Sequence, residues 1–525
     1  MKRKGFALLA LVLYLIAFCF GCKEDKTDAS SAAAQKESLV IGSASEWGNE
    51  YPDFNESFSF SDVSAPLVSD VASSENSQQS LSSDKSSSKN SSQALTSSLS
   101  SSKPSSNQTT TVVTSTASST TSSNSAVSNY NTVKAVWISY IDFSSILTNK
   151  SESAFRKNFE AVCKNAKNFG LNTLICQVRA FGDAAYPSEY FAWSQFVAGV
   201  GKNPGYDPLK IMIELAHKYN LSFHAWINPF RTFLNTQVSS VPSNTVFKKW
   251  YNDSSKRGKH IVNFSDRWYY NPGEPEVREL IVNGIVEIIK NYNVDGIHFD
   301  DYFYPRGIDK TFDSSTYSKY GGGKTLENLR RASVSTLVKE VYNTVKKHNS
   351  KIVFGISPDA NVDNNQNQLY SDVKLWGKTN GYVDYLCPQI YYNYKSESTS
   401  FSKALSNWNS LVTASNVKLM VGLAPYKIGY KEDSWACLNA NRENHKNTPD
   451  ICGAYGWQVS DASKSNILAR QCEDSLSLKK CGGVFLYSYQ YVFNVSGYFS
   501  NTSTYVSNAV SQAKTEMENL KETLK

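Results

Sequence analysis

From residue 132 almost to its end, the chain alternates short β-branched runs with amphipathic stretches of helical period. That alternation restricts the fold more than any other feature. Strands are expected at Ala135–Ser139, Thr173–Val178, Ser222–Ile227, Gly296–Asp300, Lys351–Ile356, Tyr385–Ile390, Leu419–Leu423 and Val484–Tyr487. Between them lie segments such as SAFRKNFEAVCKNAKNFG, whose apolar residues keep helical spacing up to Gly170, and PEVRELIVNGIVEIIKNYN, which puts Pro275 in a first helical turn. Eight strands separated by helices predict a parallel sheet closed into a (β/α)8 TIM-type barrel with enlarged loops at its carboxyl-terminal face. An open doubly wound sheet is the alternative. It usually carries a Gly-rich phosphate loop after the first strand, and ISYIDFSS has no glycine at all.

In a parallel barrel, ligands meet the loops that follow the carboxyl ends of the strands. Those ends read WISYID, QVRAFGDAAYPSE, HAWINPFR, HFDDYFYP, ISPDAN, PQIYYNY, LAPYKIG and LYSYQY, so polar and aromatic groups converge on one rim. Side chains alternate along a strand. Ile297 and Phe299 should therefore face the helices, while His298 and Asp300 point into the barrel mouth and Asp301 sits at the loop edge. By the same rule Gln177 and Arg179 share a face of the second strand, His224, Trp226 and Asn228 of the third, and Gln389 and Tyr391 of the sixth.

Hydrolysis of a glycosidic bond needs one carboxyl group to protonate the leaving oxygen and another to attack or to activate water. Asp300 is the expected nucleophile or base, with Arg179 lowering its pKa and His298 bonding to it. Asp359 is the first choice of acid, because the next strand places it across a substrate bond. Asp301 competes for that role, and Asp183 and Glu189 are weaker candidates. Gln177, Arg179, His224, Asn228, Arg231, His298, Gln389 and Tyr391 would position sugar and tune charge, and Trp226, Tyr302, Tyr304, Tyr391 and Tyr392 would supply stacking surfaces. Trp137 reads as core. His224, His298 and Asp300 could form a metal set, but the first strand lacks the HxH pair usual in barrel metal hydrolases, and neither a metal nor a cofactor is expected.

Composition matters most before residue 132. Met1–Lys4 is basic and Phe6–Phe20 almost wholly apolar, the pattern of a secretory signal. Cys19-Phe20-Gly21-Cys22 resembles a bacterial lipobox, which implies a diacylglyceryl anchor on Cys22 at the extracytoplasmic face of the cell membrane, or plain secretion if that cysteine is not used. Residues 23–131 are rich in Ser, Thr, Asn and Ala and should form a disordered tether reaching on the order of 50–60 Å. The barrel is expected over 132–512 and a charged carboxyl-terminal tail over 513–525. The net charge of +7 is modest and unclustered, which argues against nucleic acid as a partner. The nine cysteines form no zinc-type CxxC pair in the domain, though Cys437–Cys452 or Cys472–Cys481 can be drawn as bridges.

The segments VKAVWISYIDF, LNTLICQVRAFGDAAYPSEYFAW, HKYNLSFHAWINPFR, YYNPGEPEVRELIVNGIVEIIKNYNVDGIHFDDYFYP, FGISPDANVDN and VDYLCPQIYYNY resemble, in order and spacing, the glycosyl-hydrolase-like family 10 lipoproteins of bacteria. The resemblance implies a TIM-type barrel, a cell-envelope location and hydrolysis of glycan, in particular of peptidoglycan strands stripped of their stem peptides. It supports Asp300 and its neighbours as the core of the site without assigning acid and nucleophile. An insertion over 431–457 has no counterpart in that pattern. The expectation is a monomeric, membrane-tethered glycoside hydrolase. The alternatives are a non-catalytic carbohydrate-binding protein of the envelope or a metal-dependent amino-sugar deacetylase.

Overall fold

A computed structural model describes residues 132–395, 399–430, 456–502 and 504–525. The expected signal segment, Cys22, the tether, Cys437, Cys452 and nearly all of the 431–457 insertion lie outside the described residues. Eight strands form the barrel: β1 (Val133–Ile138), β2 (Thr173–Arg179), β3 (Ser222–Ile227), β4 (Gly296–Phe299), β5 (Val353–Ile356), β6 (Tyr385–Leu386), β7 (Lys418–Leu423) and β8 (Cys481–Leu486). Each pairs in parallel with its neighbours in sequence, and β8 returns to β1 through Val133–Gly483 and Lys134–Val484. The fold is a closed (β/α)8 barrel of the TIM type. The sixth strand is shorter than expected and continues only as single bridges from Gln389 to Asp359 and Gly422.

The surrounding helices form where the sequence places both an apolar stripe and end signals. Helix α1 (Glu152–Phe169) starts at Ser151, whose side chain accepts from the Ala154 N–H, and stops at Gly170 with φ of 95°. Its stripe Phe155, Phe159, Val162, Cys163, Ala166 and Phe169 is buried against the barrel wall. Helix α2 (Pro275–Asn291) begins at the expected proline, and its buried Ile281, Ile285 and Ile288 cover the outer face of the barrel.

Inside the barrel, Ala135, Trp137, Ile175, Trp226, Tyr385, Cys387, Met420 and Phe485 pack as one cluster. Each large member contributes about 1.5–3 kcal/mol by leaving water. Two inward-facing glycines make room for rings. A Cβ at Gly296 would lie 2.6 Å from the His224 ring, and one at Gly355 would lie 2.1 Å from Cζ of Tyr385.

The carboxyl-terminal residues expected as a charged tail are part of the fold. Helix α4 (Ala509–Thr523) packs on α3 (Ile467–Leu476), and Ala513, Met517, Leu520 and Leu524 are buried. Glu516 explains why: its carboxylate accepts from the N–H groups of Ile467 (2.7 Å) and Leu468 (2.9 Å), satisfying buried amides at the start of α3 that have no partner within the helix. Cys472 and Cys481 are both free thiols, so the bridge drawn between them does not form.

Candidate active site

Asp300 follows β4 at the carboxyl-terminal mouth of the barrel and is only 5% exposed. Its Oδ1 accepts from the Asp301 N–H (2.7 Å) and from Gln389 Nε2 (3.3 Å). Gln389 also donates to the Ser357 carbonyl (2.9 Å) and reaches Asp301, so one amide holds both carboxyl groups in place. Burial raises the pKa of both aspartates, and the adjacent charge of Asp301 pushes Asp300 further. Their side chains are hydrogen-bonded to each other, a contact that raises the pKa of Asp300 and lowers that of Asp301, so the protonated form is favoured more at Asp300. That upward direction is opposite to the lowered pKa expected for Asp300, and its cause is desolvation plus a like charge at contact distance.

Across from the pair, Arg306 Nη2 lies 2.6 Å from Asp359 Oδ2 and 3.6 Å from Asp301 Oδ2. Asp359 also accepts from the Asn361 N–H (2.7 Å) and Asn364 Nδ2 (3.2 Å). It stands at the rim, as expected from the fifth strand, but its oxygens are committed to these donors. Arg231 opens a small antiparallel sheet (Arg231–Leu234, Ile261–Phe264, Arg267–Tyr270) inserted after β3. Its guanidinium sits 4.4 Å from the ring centroids of both Phe181 and Tyr302, and its charge favours ionisation of Asp300. Tyr391 meets Tyr426 edge-on at 5.8 Å and packs against Tyr487 at 6.0 Å, giving an aromatic wall on the other side. Tyr392 is partly exposed beside it.

Several expected site residues lie elsewhere. Arg179 is fully buried between the barrel and α2, with its guanidinium 3.8 Å over the Phe191 ring and Nη1 against Gly284. A bulge causes this. Gln177 pairs with Trp226 but Arg179 pairs with Ile227, so one extra residue turns Arg179 to the helix side. The arginine that acts on Asp300 is Arg231. Asp183 caps its own turn, accepting from the N–H groups of Ala180 (3.1 Å) and Phe181 (2.8 Å). Tyr304 is buried against Phe312 and Tyr370 and offers no platform.

His298, His224 and Trp226 do face inward, but below the mouth. Each inward step down a strand is two residues, about 6.6 Å, so a side chain two places before Asp300 belongs to the barrel's interior layer. Trp137 Nε1 donates to His298 Nε2 (3.1 Å), and Ser357 Oγ lies 3.0 Å from the same nitrogen. An indole N–H can only donate. Neutral His298 therefore carries its proton on Nδ1 and donates to the Tyr385 hydroxyl (2.8 Å), which donates in turn to His224 Nδ1 (3.3 Å). Burial depresses both histidines, His224 to about 4. Asn228 is tied to the same layer, accepting from Trp226 Nε1 (3.1 Å) and Gln177 Nε2 (3.4 Å), while Gln177 Oε1 accepts from the Tyr140 N–H (3.1 Å). These hydrogen bonds tie the interior layer to the floor of the cleft. With both nitrogens of His298 engaged, His224, His298 and Asp300 do not converge as ligands.

Sequence reasoning missed Arg306, Ser357, Tyr385, Tyr426 and Tyr487. Arg306 directly follows HFDDYFYP, and Ser357, Tyr426 and Tyr487 lie in the quoted strand ends ISPDAN, LAPYKIG and LYSYQY, so the signal was present for those four. Tyr385 looks in sequence like any residue of an apolar strand.

A family model described as Glycosyl hydrolase-like 10 matches residues 132–437. The chain is 35% identical over 327 residues to glycosyl hydrolase YngK of Bacillus subtilis strain 168, covering 57% of this chain and 62% of that protein. It is 32% identical over 283 residues to glycosyl hydrolase DigH of Escherichia coli K12, covering 50% of this chain and 64% of that one. The chain thus spans less than two thirds of the length of these curated relatives. Among solved structures, the glycoside hydrolase domain of PgaB (BpsB) from Bordetella bronchiseptica aligns with a TM-score of 0.44 at 12% identity, covering 69% of this chain and 96% of that chain. The chain belongs to the glycosyl hydrolase-like 10 family.

Proposed function

We propose that this protein is a glycoside hydrolase of the cell envelope that cleaves peptidoglycan strands lacking stem peptides. The observation that carries the reading is the Asp300–Asp301 pair, two buried carboxyl groups at the barrel mouth that are hydrogen-bonded to each other, positioned by Gln389 and both raised in pKa by burial. A carboxyl group held protonated near neutral pH is what a glycosidic oxygen needs in order to leave. Asp300 is the general acid in this reading, and Asp301 is the ionised partner that keeps its proton in place. Asp359, fixed by Arg306, offers a second negative charge to the developing oxocarbenium ion. Arg231, Tyr302, Gln389, Tyr391 and Tyr392 line the path of the sugar chain. The protein acts as a monomer outside the cytoplasmic membrane, tethered through Cys22 by the Ser/Thr-rich linker.

The test is release of new reducing ends from amidase-stripped peptidoglycan by the purified protein. Asp300→Asn should lower that rate by about 10²–10⁴-fold, the range for loss of a general acid. Saturable binding without cleavage would reduce the protein to a carbohydrate-binding module, and an Asp300→Asn variant of full activity would refute the mechanism.

A further inference from the structure

Arg231 has more to it than its charge on Asp300. Its guanidinium is clamped between Phe181 and Tyr302, 4.4 Å from each ring centroid, and remains partly exposed at the mouth. Its electrostatic neighbours are Tyr302, Tyr140, Tyr269 and Asp300, and among the described residues no carboxylate or carbonyl forms an ion pair or hydrogen bond with it. A second guanidinium, Arg267, lies 4.6 Å from the same Phe181 ring and is anchored by donating to the Thr232 carbonyl (2.7 Å). Two like charges on one ring repel, and holding them there costs stability that the protein does not recover from an acidic partner of Arg231. The rings fix the plane of the Arg231 fork without using its N–H donors. This is a preorganised receptor for a planar anion, placed next to the proton donor.

The geometry points to Arg231 as a subsite for a carboxylate carried by the sugar substrate, with Arg267 reinforcing the positive field. The inference rests on the glycosidase reading for its substrate and names the feature that substrate must carry. In a stripped peptidoglycan strand the lactyl ether of each muramyl residue ends in a free carboxylate. In an intact strand the same carbon is an amide to the stem peptide, uncharged and bulky. A rigid bidentate guanidinium accepts the first and gains nothing from the second, so Arg231 selects stripped strands. Neutral polymers of N-acetylglucosamine lack the group altogether.

The test uses three ligands with the whole protein: amidase-stripped glycan, the same glycan with its carboxylates converted to methylamides, and a polyuronate of matching length. Binding is measured on the Asp300→Asn background, which separates recognition from cleavage, and hydrolysis is measured on the otherwise native protein. The carboxylate form should bind about 10–100-fold more tightly than the methylamide, the range for one charge-assisted pair. Arg231→Gln should erase that ratio, and Arg231→Lys should restore part of it. A role limited to tuning Asp300 would slow both glycans by one common factor and leave the ratio intact, which would overturn the inference. Equal binding of the two glycans by the Arg231 protein would overturn it as well. Tight, Arg231-dependent binding of the polyuronate supports the same subsite with a hexuronate as the source of the carboxylate. Preference for the carboxylate without hydrolysis of any ligand would sink the glycosidase reading alone.

Discussion

Gly355→Ala tests the tightness of the barrel interior on which the site stands. The added Cβ would lie 2.1, 2.2 and 2.3 Å from Cζ, Cε2 and Cε1 of Tyr385. Ordinary contact begins at 3.4 Å, so the ring must retreat by the difference from 2.1 Å, about 1.3 Å. It has little room to do so, being packed against His298 (5.9 Å between centroids) and Phe485 (5.5 Å). A shift of that size also breaks the hydroxyl's bonds to His298 Nδ1 (2.8 Å) and His224 Nδ1 (3.3 Å). Overpacking costs about 1–3 kcal/mol and stranded buried polar groups about 1–3 kcal/mol more, so the expected loss is about 2–6 kcal/mol. Urea unfolding followed by tryptophan fluorescence reads this as a lower midpoint at an unchanged slope. Tyr385→Ala alone should cost about 3–5 kcal/mol by opening a cavity. The double variant should lose clearly less than the sum, because the new methyl group then has space. A Gly355→Ala protein within about 0.5 kcal/mol of the parent, or an additive pair, would refute the reasoning about a filled interior.

Two further predictions concern protons. Neutralising Asp301 as Asn removes the negative charge that holds the Asp300 proton. The alkaline limb of the pH–rate profile for glycan hydrolysis should therefore move toward acid, and a limb that stays or moves toward alkali would contradict Asp300 as the proton donor. Asp142, buried where the segment after β1 meets the segment after β8, accepts from the N–H groups of Ser139 (2.8 Å) and Gln490 (2.9 Å), yet burial raises its pKa from 3.8 to about 6. Between those values the folded state binds the extra proton, so this group's contribution is full below about pH 4 and falls by about 3 kcal/mol as pH rises to about 6. The difference in unfolding free energy between the native protein and Asp142→Asn, followed from pH 4 to 7, should carry that slope. A flat or opposite slope would discard the assignment.

Much of the barrel was legible because its signals are local. Strand and helix periods, Gly170 as a helix stop, Pro275 in a first turn and the crowd of polar residues at the strand ends all lie within a few residues of what they control. Asp300, Asp301 and Asp359 could be assigned to the mouth for the same reason. Roles were harder to read than places. Local pattern predicts an ionised nucleophile at Asp300, whereas its burial and its contact with Asp301 raise its pKa, and both are properties of the surroundings.

The sequence by itself determined that eight parallel strands would present their carboxyl ends, and with them two adjacent aspartates, to one rim. Only the tertiary structure decided how deep each inward side chain lies and which way Arg179 turns. A strict two-residue period put Arg179 in the cleft, whereas the bulge opposite Trp226 and Ile227 turns it toward α2 and leaves Arg231, from an inserted sheet, as the cation beside Asp300. Bulges and layer heights arise from pairing between strands some fifty residues apart in sequence. No local pattern records that pairing, so the barrel could be read from the chain while the partner of its central aspartate could not.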